Sequence, residues 1–239
     1  LVMQHYRSQN SDLARIQSQI ADLTGVRRGH VSIACSQALL PYFLPDAISR
    51  YRREHPGVTF SVNVRDRAQA ERDLANFSSD LALVFEPVHL VDFEVLHAAP
   101  QRVCAVFAAD HPLAAKPEVR LRDCLDLPPV APAAQYGVRH LLDQAAKRSS
   151  RRIPPVLETE SFALIRHYVL AEGAVGFQIP IGLQPGRDIA FRPIAERDVP
   201  AGHLLLGQMR GRTLAVASSR FAMLLVAALA ALDTGTAPA

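Results

Sequence analysis

Along the chain, short apolar runs alternate with stretches in which apolar residues recur every three or four positions. Val31 to Ala34 is a run typical of a buried strand, and the apolar residues from Leu44 to Tyr51 have helical spacing. We expect this helix to open at Ser36 or Gln37 and to end before the Pro-Gly pair at 56 and 57. Because the first N–H groups of a helix have no partner inside it, this turn would form one wall of a ligand site.

The next segments predict a parallel sheet. Apolar and polar residues alternate from Val58 to Val64, as in a half-buried strand, and Leu81 to Phe85 is a solid apolar run typical of a central strand. A helix with Ala70 and Leu74 facing inward separates them. Ligands of such sheets bind at the carboxyl ends of the strands. The residues there are Cys35 to Gln37, Arg65-Asp66 and Phe85-Glu86.

After two further strands, within 95–99 and 102–108, the pattern restarts. Ser161 is placed to cap a helix that ends at Gly173, and strands precede and follow that helix. The sequence therefore predicts two similar α/β units, with a cleft as the natural site. The later strands are expected at Pro129 to Ala131, Val156 to Thr159, Val175 to Ile179, Ile189 to Pro193 and His203 to Gln208, before a final helix from Ser219 to Leu232.

Residues 1 to 23 carry a sparse apolar stripe from Val2 to Leu23, and with Gln9 included its steps alternate between four and three. This is a heptad seam, and its apolar face is too narrow for a helix that folds alone. We favour a dimerising coiled coil over a helix that frays or packs within its own chain. Thr24 to Gly29, with two glycines and two arginines, resembles a hinge.

The composition is that of an ordinary globular protein: 239 residues, 49% hydrophobic, with a net charge of +3. Three cysteines are too few for a disulfide framework, which favours a reducing compartment. The apolar tail from Phe221 to Leu232 is too short for a membrane span, which takes about 20 residues. No signal segment begins the chain, so we expect a cytoplasmic protein without membrane contact. Position 1 is not a methionine, and we expect the chain to be a fragment.

An enzyme is the alternative class. Cys35, at the end of the first strand, is a possible nucleophile, and Glu158 and Glu160 point the same way from one strand. The chain has no H-E-x-x-H, Cys-x-x-Cys, phosphate-binding glycine loop or G-x-S-x-G motif. We therefore expect no catalytic residue, no metal and no cofactor, and regard Cys35 as a buried inert thiol. A redox role for Cys104 and Cys124 is a further, less favoured alternative.

An ordered series of segments carries a family resemblance. It covers essentially residues 29 to 232 and is similar to the effector-binding part of LysR-type transcriptional regulators. The heptad stripe resembles the linker helix by which those regulators dimerise. The segments are GHVSIACS, YFLPDAISRYRREHPGV, LANFSSDLALVFEP, FAADHPLA, YGVRHLLD and ETESFALIRHYVLAEGAVGFQIP.

This resemblance implies two Rossmann-like lobes of the type 2 periplasmic-binding-protein kind, preceded by a linker helix. The linker and hinge would be residues 1–28, lobe I residues 29–106 plus 207–239, and lobe II residues 107–206. The chain would cross between the lobes at Val103 to Ala108 and at His203 to Gln208. A small effector is implied between the lobes. The residues that match the family's effector positions are Ser36, Gln37, Arg65, Phe85, Ala131, Pro132, Gln178 and Ile179.

Arg65 and Gln178 depart from the family pattern and would make the pocket more polar. With the Ser36 hydroxyl they suit a carboxylate-bearing metabolite. Each also has a structural alternative: Ser36 capping a helix, Arg65 in a solvated turn, and Gln178 satisfying backbone groups between the lobes.

The expected partners follow from the resemblance. They are a small-molecule effector, a homodimer or homotetramer, and DNA only through an N-terminal winged helix-turn-helix that is absent from this chain. A solute-binding protein of a transport system and an enzyme on the same fold remain the competing functions.

Overall fold

Residues 28–89, 91–149, 153–184 and 186–233 are described by the structure, a computed structural model. The predicted linker helix and all of the hinge before Arg28 lie outside these residues. The strands are β1 (Gly29–Cys35), β2 (Val58–Val64), β3 (Leu81–Phe85), β4 (Phe93–Gln101), β5 (Cys104–Ala108), β6 (Pro129–Pro132), β7 (Leu157–Thr159), β8 (Val175–Gln178), β9 (Ile189–Pro193) and β10 (Gly202–Met209). The α-helices are α1 (Phe43–Glu54), α2 (Arg67–Ala75), α3 (Leu121–Cys124), α4 (Gly137–Arg148), α5 (Phe162–Glu172) and α6 (Val216–Asp233).

Two five-stranded sheets repeat one topology. The first has the order β2-β1-β3-β10-β4 and the second the order β7-β6-β8-β5-β9. In the first sheet β1 is parallel to β2 and β3, and β10 is antiparallel to β3. In the second sheet β6 is parallel to β7 and β8, and β5 is antiparallel to β8. The predicted fold class, two α/β units with parallel strands, is confirmed.

The chain divides into two compact units, each containing one of these sheets. The first unit holds the described residues up to Ser36, Leu44–Ala99 and the residues from Leu204 onward, whereas the second holds Gln37–Phe43 and Pro100–His203. The chain thus passes between units near residues 99 and 203, whereas the family resemblance implied boundaries near 106 and 206. The short segment after β1 also groups with the second unit.

The helix after β1 differs from the prediction. Residues Gln37–Leu39 form a single 3₁₀ turn, and α1 begins only at Phe43. Pro41 supplies the reason, because a proline disfavours helical geometry at the residue before it. The predicted helix opening at Ser36 or Gln37 is therefore wrong, and the N-terminus of α1 does not lie at those residues.

In the first unit, α6 packs against α1 and against Phe60 of β2 through aromatic contacts. The Tyr51 and Phe221 rings are 5.2 Å apart, and the Tyr51 hydroxyl donates to the Ala217 carbonyl at 2.9 Å. Asp80, just before β3, anchors a second connection. Its carboxylate accepts the Ser32 amide at 3.0 Å and the Ser218 hydroxyl at 3.0 Å.

Arg212 completes the connection around Asp80. Its Nη2 lies 2.7 Å from the Asp80 carboxylate, and its Nη1 donates to the Ser79 carbonyl at 3.1 Å. The guanidinium also lies over the Phe77 ring, 5.4 Å from its centroid. The loop after β10 is thereby held to the start of β3.

The second unit buries α5 against its sheet through Phe162, Ile165 and Val169. The Ser161 side chain caps this helix by accepting the Leu164 amide at 3.2 Å, and Gly173 ends it in a left-handed conformation. The predicted cap residues at both ends are confirmed.

Candidate functional site

The carboxyl edge of the first sheet collects three of the predicted site residues. Because β1, β2 and β3 run parallel, Ser36, Arg65 and Phe85 all lie at the ends of neighbouring strands. The Ser36 amide donates to the Leu83 carbonyl at 3.1 Å, and the Arg65 amide donates to the Cys35 carbonyl at 2.9 Å. The backbone therefore fixes where each of the two polar side chains leaves the sheet.

The Arg65 guanidinium is held on one side and open on the other. Its Nε lies 2.7 Å from the Asp73 carboxylate, and its Nη1 donates to the Val64 carbonyl at 3.0 Å. These bonds orient the planar group while its Nη2 donors have no hydrogen-bond partner among the described residues. The Ser36 hydroxyl likewise has no partner there, although the residue is only 8% exposed.

The end of β3 has an unusual backbone. Phe85 is buried, and the next residue, Glu86, has a φ of 52°. Such left-handed geometry is uncommon for a residue other than glycine, and residues held in it cluster at functional sites. The Arg67 Nη1 supports the turn by donating to the Glu86 carbonyl at 2.9 Å. Nothing in the sequence indicates this conformation.

The carboxyl edge of the second sheet collects the other strand-end residues. Ala131 and Pro132 end β6, Gln178 ends β8, and Ile179 follows it. The Gln178 Nε2 donates to the Gly182 carbonyl at 2.9 Å, and its side chain is buried. Its Oε1 has no hydrogen-bond partner among the described residues.

Gln37 joins this second edge rather than the first. Its Oε1 accepts the backbone amide of Phe162, the first residue of α5, at 2.6 Å. The 3₁₀ turn that it opens packs on the turn Pro180–Gly182, so closely that a Cβ on Gly182 would lie 2.6 Å from the Ala38 carbonyl oxygen. Only glycine fits this approach. The Nε2 donors of Gln37 have no partner among the described residues.

Sequence reasoning missed Arg139 at this edge. From the first turn of α4, its Nε lies 2.9 Å from the Asp143 carboxylate, and its Nη1 binds Glu158 and the Pro132 carbonyl. Burial alone would lower the pKa of Arg139, but hydrogen bonds to Glu158 and Asp143 outweigh it and raise the pKa. The spacing of Arg139 and Asp143 was a usable signal. The pairing with Glu158 depends on the fold.

The side chains considered for catalysis either bind other residues of the protein or are buried. Glu158 binds Arg139, and Glu160 accepts from Gln135 at 2.5 Å. Burial raises the pKa of each cysteine thiol to about 12, far above that of a reactive thiolate. Within the described parts of the chain, no three His, Cys, Asp or Glu side chains are grouped as metal ligands. No helix in those parts has the length and apolarity needed to traverse a bilayer.

Taken together, the polar side chains at the two edges share one arrangement. In each of three side chains one atom is hydrogen-bonded to the protein and another makes no hydrogen bond with the described residues: Nη2 of Arg65, Nε2 of Gln37 and Oε1 of Gln178. Ser36 is held by its backbone amide, and its hydroxyl makes no such bond. Three of these four groups donate hydrogen bonds. At the first edge, the Ser36 hydroxyl and the Arg65 guanidinium suit a ligand with oxygen acceptors, and the second edge by itself offers both a donor and an acceptor.

Comparison with curated proteins finds transcriptional regulators. The chain is 24% identical over 169 residues to the transcriptional activator CmpR of Synechocystis, covering 71% of this chain and 55% of CmpR. It is 27% identical over 186 residues to the regulator CysB of Burkholderia cenocepacia, covering 77% of this chain and 57% of CysB. The chain therefore spans about half the length of the curated relatives that it matches.

Solved structures share the fold. The effector-binding domain of QuiR, in complex with shikimate, superposes with a TM-score of 0.70 at 19% identity, covering 84% of this chain and 96% of that one. The CcmR regulatory domain of Synechocystis, in complex with 2-PG, gives a TM-score of 0.70 at 20% identity, covering 84% and 97%. The family model of the LysR substrate binding domain matches residues 24–230. The resemblance inferred from the sequence segments is confirmed, and the chain belongs to the LysR substrate-binding domain family.

Proposed function

We propose that the chain is the ligand-sensing part of a LysR-type transcriptional regulator and that it binds a small carboxylate-bearing metabolite at the carboxyl ends of its parallel strands. The observation that carries the proposal is that the polar side chains at these strand ends are held by the protein at one atom and keep other atoms without a hydrogen-bond partner among the described residues. Arg65 and Gln37 are oriented by hydrogen bonds to the protein, and their Nη2 and Nε2 donors make no hydrogen bond with the described residues. Donors fixed before binding lose little entropy when the ligand arrives.

A carboxylate is the best match to this set. A guanidinium edge gives charge-assisted bonds to carboxylate oxygens, and the Ser36 hydroxyl and Gln37 amide add neutral donors. Gln178 offers an acceptor, which suits a hydroxyl or amino group elsewhere on the ligand. Relatives in the family support a small-molecule ligand, since QuiR and CcmR were solved with shikimate and 2-PG.

The test is isothermal titration calorimetry of the chain against aliphatic, aromatic and amino acids. For the acid that binds, Arg65→Ala removes a charge-assisted bond worth about 1.5–3 kcal/mol and should weaken binding about tenfold or more. Gln37→Ala should weaken binding by a smaller factor, because its bond is neutral. Arg53→Ala, an exposed arginine on α1, is the matched control and should leave the affinity unchanged.

An affinity that survives Ser36→Ala, Arg65→Ala and Gln37→Ala together would refute this ligand site. Gln178→Ala, titrated with the same acid, tests the polar groups at the edge of the second sheet separately. Recovery of the unaltered acid after incubation, measured by NMR, separates a sensor from an enzyme. A converted product would favour the enzyme alternative.

The remaining parts of the proposal concern the whole protein. We propose that it is a homodimer or homotetramer, that ligand binding changes the subunit arrangement, and that DNA is bound by a winged helix-turn-helix encoded ahead of residue 1. A bacterial regulator of this kind works in the cytoplasm, where its DNA is. The gene sequence upstream of Leu1 tests this directly. A transport-type leader in place of a DNA-binding segment would favour the solute-binding alternative.

A further inference from the structure

A cleft of about 380 Å³ lies in the second unit, away from the strand ends described above. Its lining includes three exposed arginines, Arg122, Arg148 and Arg197, which we call the rim arginines. The less exposed Leu121, Leu125 and Ile153 also line it, and we call them the apolar floor. We call the whole cleft the arginine cleft. α4 starts at the carboxyl end of β6 and returns toward the start of β7. The arginine cleft lies at the far end of α4 from that strand end, and none of the strand-end residues described above is among its lining residues.

The only carboxylate that lines the arginine cleft within the described chain is already satisfied. Asp198 accepts the Nε and Nη2 of Arg120, both at 2.7 Å, and the Leu121 amide at 2.9 Å. This bidentate pair makes one wall of the cleft and leaves Asp198 little capacity for further cations. The lining residues thus carry three positive charges in excess.

The rim arginines are exposed and lightly paired. Arg122 lies 3.7 Å from Asp123, which Lys116 already binds at 2.9 Å. Arg148 ends α4 and forms no ion pair with the described residues, and Arg197 faces only Asp198 among them. Guanidinium groups gathered around a concavity without matching acids concentrate positive potential there. An anion entering the cleft would relieve this repulsion.

We propose that the arginine cleft binds a small organic phosphate, at a site separate from the carboxylate site proposed above. The excess of three charges favours a dianion over a simple carboxylate, and a guanidinium fork matches phosphate oxygens bidentately. The apolar floor adds a place for a hydrocarbon or ring portion. The volume lies within the range of about 300–1,000 Å³ typical of small-molecule sites.

The test is calorimetric titration of the 239-residue chain with phenyl phosphate. Benzoate serves as the singly charged analogue, and inorganic phosphate as the dianion without a ring. We expect phenyl phosphate to bind more tightly than either. Arg148→Ala combined with Arg197→Ala should weaken it at least about tenfold, since each removes charge-assisted bonds. Arg148→Lys combined with Arg197→Lys keeps the charge but loses the fork, and should give an intermediate affinity.

Two control variants locate the binding. Lys147, next to Arg148 on α4, and Arg187 are exposed residues of the same unit that do not line the cleft. Lys147→Ala with Arg187→Ala removes the same number of charges without removing a lining residue, and should weaken binding less than the loss of Arg148 and Arg197. Ser36→Ala with Arg65→Ala should also leave it unchanged. Thermal unfolding of each variant checks that the fold is retained.

Several outcomes would overturn the proposal. They are the absence of phenyl phosphate binding, an equal loss in the Lys147 and Arg187 control, and a loss confined to the Ser36 and Arg65 variant. The last would place the phosphate at the carboxylate site instead. A fourth outcome that would overturn the proposal is measured by fluorescence anisotropy with a labelled DNA duplex. Duplex binding that needs Arg148 and Arg197, without phenyl phosphate binding, would assign these arginines to a nucleic-acid backbone.

Discussion

Replacing Asp80 with alanine should destabilise the first unit more than any exposed ion-pair substitution in the chain. The carboxylate holds the Ser32 amide, the Ser218 hydroxyl and the Arg212 guanidinium, and the Asp80 and Arg212 side chains are only 15% and 12% exposed. Removing one partner of a buried ion pair costs about 3–5 kcal/mol, because the other charge is left without compensation. Because both side chains keep some exposure, we expect Asp80→Ala to lower the free energy of unfolding by about 3 kcal/mol, near the lower end of this range.

Urea unfolding followed by circular dichroism measures this loss directly. A fall of about 3 kcal/mol is a large part of the 5–15 kcal/mol that stabilises a typical domain, so the midpoint should move to clearly lower urea. Asp188→Ala is the matched control. Its ion pair with Arg166 is similarly short, at 2.9 Å, but the side chains are 54% and 40% exposed, so the cost should stay below about 1 kcal/mol. Equal losses in the two variants would refute the argument from burial.

Three further predictions follow from local geometry. Gly207→Ala should destabilise the first unit by about 1–3 kcal/mol in the same assay, because its Cβ would lie 2.0 Å from the ring of the buried Phe93; an unchanged midpoint would contradict this contact. The three cysteines, all buried with thiol pKa values raised to about 12, should not react with Ellman's reagent in the native chain and should all react in urea. Hydrogen bonds from Arg120 lower the pKa of Asp198, so its contribution to stability should be present above the ordinary pKa of about 3.9 and be lost as the pH falls below it. The difference in free energy of unfolding between the wild type and Asp198→Asn should therefore shrink as the pH is lowered. Urea unfolding from neutral pH to pH 3 measures this difference.

The sequence determined the elements whose boundaries depend on local pattern. The alternation from Val58 to Val64 and the apolar run from Leu81 to Phe85 give β2 and β3 with the predicted bounds. Ser161 and Gly173 cap α5 as predicted, because capping is a property of a few adjacent residues. The order of these elements, with its restart in mid-chain, was sufficient for the α/β class, and the resemblance of six sequence segments to a known family indicated the family.

Only the tertiary structure decided what depends on residues distant in the chain. The segment after β1 becomes a 3₁₀ turn that packs on a second turn about 140 residues later, and Gln37 is tied there to α5. Val62 and Val64 stay 37% exposed because β2 lies at the edge of its sheet, a position that strand order alone sets. The arginine cleft likewise joins α3, the end of α4 and the residues after β9. Local propensity records what each segment can form, whereas these sites arise from side chains that meet only once the sheets are assembled.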